Sequence, residues 1–143
     1  MSAEDNLRTV EKLFVDINEH QLGRSRDAYT ANYMYEAPGL PGTVDLDASI
    51  AYTQGFITAF PDLHFDLMHK VTQGDFVAVS WVGSGTHTGP LATPTGDMLP
   101  ATNKKAKVPG STFYQFNGSK VVRSWVYWDM VSLLAQLGLM PGM

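Results

Sequence analysis

The stretch Arg123-Ser-Trp-Val-Tyr-Trp-Asp-Met130, which leads directly into Val131-Ser-Leu-Leu-Ala-Gln-Leu-Gly138, is the most informative part of this chain. Alternation over residues 122–129 predicts a β-strand, because successive side chains of a strand point to opposite faces. One face carries Arg123, Trp125, Tyr127 and Asp129, and the other carries Val122, Ser124, Val126 and Trp128. Apolar residues then recur at helical spacing (Met130, Leu133, Leu134 and Leu137), and Gly138 suits the end of a helix. Asp129 at this junction is either a helix N-cap or a half-buried acid or base.

The length and composition of the chain indicate one domain, residues 1–143, with a single core. Hydrophobic residues make up 44% and charged residues 17%, which is enough apolar material for a core and an apolar cavity. No apolar run reaches the roughly 18 residues of a membrane span, and the first residues do not resemble a signal peptide. Cysteine is absent, which excludes disulfides and thiolate metal sites. We therefore expect a cytoplasmic protein that does not associate with membranes.

The charge pattern excludes nucleic acid as the expected partner. The net charge is −4, and the single basic cluster, Lys104-Lys105-Ala-Lys107, is short. Four histidines, at positions 20, 64, 69 and 87, show no metal-ligand spacing, so no metal is expected. Aromatic residues, 11% of the chain, fall mainly on predicted strands. A small hydrophobic or aromatic molecule is therefore the favoured ligand.

The order of predicted elements indicates an α+β protein. Helices are predicted over 4–20 and about 48–60, the second capped by Asp47, with a helical turn at 27–31 and a short strand at 33–36 between them. Strands follow over 63–73, 76–88, 104–116 and 119–129, with a loop at 89–103 and a hairpin turn at Asn117-Gly118. Strands of this length must curve. A curved, mostly antiparallel sheet wrapped around a long helix makes a cone with a pocket at its open end.

Several motifs in this order resemble the SnoaL-like polyketide cyclases of the nuclear transport factor 2-like (ketosteroid isomerase-like) superfamily. The motifs are Phe60-Pro-Asp62, Gly85-Thr-His-Thr-Gly-Pro-Leu-Ala-Thr-Pro-Thr-Gly96, and Trp125-Val-Tyr-Trp-Asp129 ahead of Gln136-Leu-Gly138. The resemblance implies a cone-shaped α+β barrel and an enzyme of secondary metabolism, typically antibiotic biosynthesis. It implies an aldol-type cyclisation of a polyketide-like carbonyl compound without cofactor, and a homodimer or homotetramer.

The resemblance also implies catalytic residues. It places the acid/base at Asp129, and the histidine that the family carries on the preceding strand falls at Gln115. Glutamine donates hydrogen bonds to a carbonyl or enolate oxygen but carries no proton at pH 7, so Gln115 is expected to orient or polarise the substrate. The aromatic residues and the loop histidine expected to bind substrate are Trp125, Tyr127, Trp81, His87, Tyr52, Phe56, Tyr33, Tyr35 and Phe113. Val122, Val126 and Trp128 are expected on the outer face of the sheet, where they favour association.

Other functions fit the same pattern. An isomerase or a cofactor-independent hydroxylase on this fold needs a similar pocket, and one superfold hosts many chemistries. A non-catalytic small-molecule binding protein or a protein-interaction module is the alternative of another class. A pocket containing Asp129 would favour the enzyme, whereas a pocket filled by Trp81, Phe113 and Trp125 would favour the module. Epoxide hydrolysis is disfavoured, because Arg123 and Asp129 share a face without a second aspartate.

Overall fold

The computed structural model describes residues 2–140, which form three α-helices, a 3₁₀ turn and seven strands. The helices are α1 (Ala3–Asn18), α2 (Leu46–Ala59) and α3 (Met130–Gln136), and the 3₁₀ turn is Arg26–Ala28. The strands are β1 (Tyr29–Glu36), β2 (His64–Gln73), β3 (Phe76–Thr86), β4 (Leu91–Ala92), β5 (Met98–Leu99), β6 (Lys105–Asn117) and β7 (Lys120–Trp128). Within this part of the chain, no helix has the length and apolar character needed to cross a membrane.

Five strands form one mixed sheet in the order β1-β7-β6-β3-β2. Strand β1 runs parallel to β7, and the other neighbours are antiparallel. The tight turn between β6 and β7 has Gly118 at a φ of +65°, as the Asn-Gly pair predicted. The α+β class and the curved sheet are therefore confirmed.

Two element boundaries differ from prediction for identifiable reasons. Strand β1 begins at Tyr29 rather than at residue 33, because pairing between Tyr29 and Val121 of β7 extends it through a stretch without apolar alternation. Helix α2 is capped by Asp45, whose Oδ1 accepts from the Ala48 amide at 2.9 Å. The predicted cap, Asp47, instead forms an ion pair with Arg26. Both aspartates suit the cap chemically, and the chain path selects between them.

The main core lies between α1 and one face of the sheet. The apolar stripe of α1 contributes Val10, Leu13 and Phe14, and the sheet contributes Val77, Val79, Trp81, Tyr114, Phe116 and Val121. Helix α3 packs on a second cluster around Leu133 and Leu137. All three helices therefore cover the same, concave face of the sheet, and that face holds the interior of the protein.

Gly110 on β6 permits close packing against the Trp81 ring in this interior. A Cβ at this position would lie 2.4 and 2.5 Å from ring atoms of Trp81 and 2.8 Å from the carbonyl oxygen of Tyr127. The absence of a side chain at position 110 therefore lets the Trp81 indole lie across β6.

Candidate functional site

A cavity of about 180 Å³ lies between helices α1 and α2 and the concave face of the sheet. The helices contribute Leu13, Phe14, Ile17, Leu46, Ser49, Ile50, Tyr52, Thr53 and Phe56, and the central strands contribute Trp81, Ala106, Val108, Thr112, Tyr114, Ser124, Val126 and Trp128. An apolar cavity of roughly 150 Å³ is known to hold benzene. This cavity therefore has room for one or two rings, and a larger ligand must extend through its mouth.

Aromatic rings form most of the cavity wall and contact each other edge to face. The rings of Tyr35 and Tyr52 have centroids 5.9 Å apart, Tyr52 and Phe56 5.2 Å, and Phe56 and Trp128 5.5 Å. This run joins β1, α2 and β7. A flat apolar ligand would therefore meet ring edges and faces of the kind that favour aromatic stacking.

Tyrosine hydroxyls supply much of the polar chemistry of the cavity. Burial raises the pKa of Tyr29 to about 12 and of Tyr52 to about 12. Burial also raises the pKa values of Tyr33, Tyr35 and Tyr114 above their usual range. The Tyr52 hydroxyl donates to the Pro38 carbonyl at 2.7 Å, which fixes the ring. All five phenols are neutral at pH 7, so they act as hydrogen-bond donors and acceptors rather than as bases.

Charge in the cavity wall is confined to one arginine among the described residues. Arg26 lines the cavity, yet half of its side chain is exposed to solvent, and it pairs with Asp47 at the start of α2. Arg26 therefore marks the mouth, between the 3₁₀ turn and α2. Within residues 2–140, no carboxylate or histidine lines this cavity.

The residues expected to bind substrate lie in three places: the cavity wall, the convex face of the sheet, and the segment that follows β3. Trp81, Tyr33, Tyr35, Tyr52 and Phe56 lie in the cavity wall. Their part in substrate binding stays a prediction.

The expected orientation of the last strand is wrong. Trp125, Tyr127 and Phe113 lie with Phe76 in an aromatic cluster on the convex face, outside the cavity. The Arg123 guanidinium lies 4.9 Å from the Trp125 ring centroid in the same cluster. Ser124, Val126 and Trp128 line the cavity instead, so Val126 and Trp128 are not on the outer face. The helices cover the side of β7 that carries Ser124, Val126 and Trp128, and a register shift between residues 121 and 123 adds Val121 to that side. Packing rather than alternation decides which side is covered.

Asp129 is the N-cap of α3. Its Oδ1 accepts a hydrogen bond from the Ser132 amide at 3.1 Å, and the side chain is exposed. Because β7 ends at Trp128, strand alternation no longer sets the direction of the Asp129 side chain. Asp129 does not line the cavity. The structure thus shows the capping function of this carboxylate, and its catalytic function stays a prediction.

Gln115 lies away from both Asp129 and the cavity. It is half-buried on β6 between the inward-facing Tyr114 and Phe116, and its partner across the hairpin is Arg123. Arg123 precedes Asp129 by six residues, a distance of about 20 Å along a strand. The residue opposite Trp128 is Gly110. The expected pairing of Gln115 with Asp129 is therefore wrong for this geometry.

A model of the SnoaL-like polyketide cyclase family matches residues 7–137. This chain belongs to that family. Among solved structures, IdmH from Streptomyces antibioticus, a candidate polyketide cyclase, is 25% identical, with 93% of this chain and 98% of that chain covered and a TM-score of 0.78. AclR from Streptomyces galilaeus, a candidate hydroxylase, is 20% identical, with 99% and 90% covered and a TM-score of 0.85.

A SnoaL-like polyketide cyclase candidate from Jannaschia sp. CCS1 is 20% identical, with 97% of this chain and 95% of that chain covered and a TM-score of 0.83. Identities this low establish the shared fold and carry no substrate or reaction. No curated protein matches the sequence.

His87 has a structural position in this SnoaL-like chain. The ring is completely buried against Phe60, with centroids 5.3 Å apart, and lies outside the cavity. Its Nδ1 accepts from the Thr102 amide at 3.2 Å, so the proton of the neutral ring is on Nε2. The His87 amide donates a hydrogen bond to the Lys104 carbonyl, and the Asn103 amide donates one to the His87 carbonyl. These two hydrogen bonds hold the ends of the segment 88–103 together. Burial lowers the pKa of His87, which favours the neutral ring.

Several residues line the cavity but were not predicted from the sequence to bind substrate, chiefly Ser124, Val126, Trp128, Tyr29 and Tyr114. Tyr29 precedes the predicted limit of β1. The other four share the concave face of the β6–β7 hairpin, and alternation had grouped the β7 members correctly. Choosing the correct face required the position of the helices, which no local pattern contains.

Proposed function

We propose that this SnoaL-like chain is a cofactor-independent enzyme that cyclises or isomerises a hydrophobic, polyketide-like carbonyl compound bound in the cavity. The observation that carries the proposal is the aromatic cavity with its set of neutral phenols. Such donors, held in a water-poor site, polarise a carbonyl and stabilise the enolate that forms when an α proton is removed. In an aldol closure the enolate carbon then attacks a second carbonyl, and the resulting alkoxide takes up a proton.

The proposed acid/base is Asp129. It directly follows Trp128, whose ring lines the cavity, and it directly precedes α3, whose Leu133 also lines it. The backbone of Asp129 is thus one residue away from the wall. To act on a ligand, the carboxylate has to leave the Ser132 amide and turn towards the cavity, because the capping geometry directs it to solvent.

A pair of substitutions separates the two functions of Asp129. Asparagine caps helices about as well as aspartate but accepts no proton at neutral pH, so Asp129→Asn is expected to keep stability and ligand affinity while turnover disappears. Turnover of an aromatic polyketone would be followed by mass spectrometry, and stability by thermal unfolding. Full turnover in Asp129→Asn would exclude Asp129 as the acid/base.

Ligand binding by the cavity is tested independently of turnover. The probe is 1-indanone, a two-ring ketone matched to the cavity volume, titrated by calorimetry. Val126→Trp adds a large side chain to the cavity wall and is expected to abolish binding. Phe113→Ala, on the convex face, is the matched control and is expected to leave the affinity unchanged. Equal binding by all three proteins would show that the ketone does not occupy this cavity.

A non-catalytic binding protein is the second candidate, and one observation favours it. In the described part of the chain, the cavity wall contains neither carboxylate nor imidazole. A binding protein predicts ketone binding that Val126→Trp abolishes, together with no turnover in the wild type. Wild-type turnover that is lost in Asp129→Asn decides for the enzyme.

A further inference from the structure

We propose that Ser124 is the polar anchor of the cavity and binds a carbonyl or hydroxyl oxygen of an otherwise apolar ligand. This inference rests on the proposed function, because it assigns a ligand atom to a position within the same cavity. It adds the chemical class of the ligand, a neutral aromatic ketone or phenol, and the residue that selects it.

Ser124 has an unused hydrogen-bonding group in the cavity wall. The residue is 1% exposed on β7, between the inward-facing Val121 and Val126, and its Oγ has no hydrogen-bond partner among the described residues. Buried hydroxyls nearly always have a partner, because an unpaired polar group in an apolar site is unfavourable. An oxygen atom of a ligand would remove that penalty.

Ser124 has a tyrosine beside it on each of the two neighbouring strands. Across the sheet, Ser124 is in register with Tyr114 on β6 and with Tyr35 on β1. All three residues line the cavity. Adjacent strands are about 5 Å apart, so the short Ser124 side chain lies between two larger ones. Because the Ser124 Oγ is covered, the two rings have to move slightly apart for a ligand oxygen to reach it.

A second hydroxyl lies next to Ser124. Tyr33 is buried on β1 and lines the cavity. A side-chain interaction with Ser124 opposes part of the rise in the pKa of Tyr33 that burial causes, although the two hydroxyl oxygens do not meet hydrogen-bond geometry. Two neutral hydroxyls at one point can both donate to a carbonyl, or one can donate and the other accept from a phenol. A carboxylate or ammonium group is disfavoured here, because nothing charged lines this part of the described wall and a buried charge needs a partner.

The experiment compares two ligands of the same shape, 1-indanone and its hydrocarbon analogue indane, by calorimetric titration. Wild-type protein is expected to bind 1-indanone about tenfold more tightly than indane. One hydrogen bond to a buried, otherwise unpaired hydroxyl stabilises a complex by about that factor. Ser124→Ala is expected to lose this preference while its affinity for indane stays within about twofold. Ser80→Ala, on the convex side of β3, is the control and keeps the preference.

The outcomes distinguish this inference from the proposed function. Equal affinity of the wild type for both ligands, or an unchanged preference in a folded Ser124→Ala protein, overturns the anchor and leaves the cavity as the ligand site. Absence of binding for both ligands in the wild type overturns the proposed function and the anchor together. Ser124→Cys, which keeps the side-chain size but donates weakly, is expected to reproduce the loss of preference if Ser124→Ala is too unstable to measure.

Discussion

The hydrogen bond between Trp81 and Thr112 provides a quantitative test of the interior. Nε1 of Trp81 donates to Oγ1 of Thr112 at 3.1 Å, and both residues are buried at 6% and 4% exposure. Thr112→Val keeps the shape of the side chain but removes the acceptor. The indole N–H is then buried without a partner, and we expect a loss of about 1–3 kcal/mol in the free energy of unfolding.

Trp81→Phe removes the donor from the same pair. It also loses packing, since the indole contacts Phe65 edge to face at 4.9 Å and lies across Gly110, so we expect a loss of about 2–4 kcal/mol. In the double variant no donor is left unpaired. The double variant should therefore be more stable than the sum of the single losses predicts, by about 1 kcal/mol.

Urea unfolding followed by circular dichroism measures all four proteins, because a domain of this size is expected to unfold in one transition. Thr72→Val, on the exposed strand β2, is the control and should change stability by less than about 0.5 kcal/mol. Losses that add within about 0.3 kcal/mol would contradict coupling between Trp81 and Thr112, since independent sites behave that way.

Three further predictions concern single residues. Gly110→Ala should lower stability by about 1–3 kcal/mol in urea unfolding, because the new methyl group overlaps the Trp81 ring; an unchanged midpoint would contradict that packing. Because folding lowers the pKa of His87, the unfolded chain takes up a proton at a higher pH than the folded protein does. The stability contributed by the neutral ring should therefore be complete above about pH 6.5 and decline as the pH falls below it. His87→Gln should make thermal unfolding less dependent on pH between about 8 and about 5, which spans the usual histidine pKa, and an equal dependence would exclude His87 as the source. Asp129→Ala should lower the free energy of unfolding by about 1 kcal/mol, because α3 loses its cap. This loss should exceed the loss in Asp129→Asn, and equal losses would contradict the capping function.

Much of the architecture follows from local patterns. The stripe of Val10 and Phe14 predicts α1, the Asn117-Gly118 pair predicts the β6–β7 hairpin, and Asp129 followed by helical spacing predicts α3 with its cap. Each signal arises within a few residues, from side-chain periodicity or from backbone preference. For that reason the helices, the long strands and the α+β class could be predicted from the amino-acid order alone.

The candidate site depended on contacts between segments far apart in the chain. Alternation separates Trp125 and Tyr127 from Val126 and Trp128, but both sets are large and apolar, so the pattern does not say which side the helices cover. Asp129 lies beyond the end of β7, where alternation no longer applies.

Local patterns are enough to predict the helices, the long strands and their order, because these depend on neighbours in the chain. The faces of a strand follow in the same way only where alternation is uninterrupted, and in β7 a register shift puts Val121 and Ser124 on one side. Which face became the interior depends on where α1, α2 and β1 pack, and local patterns do not contain that information. That packing placed Ser124 in the cavity wall and Trp125 outside it.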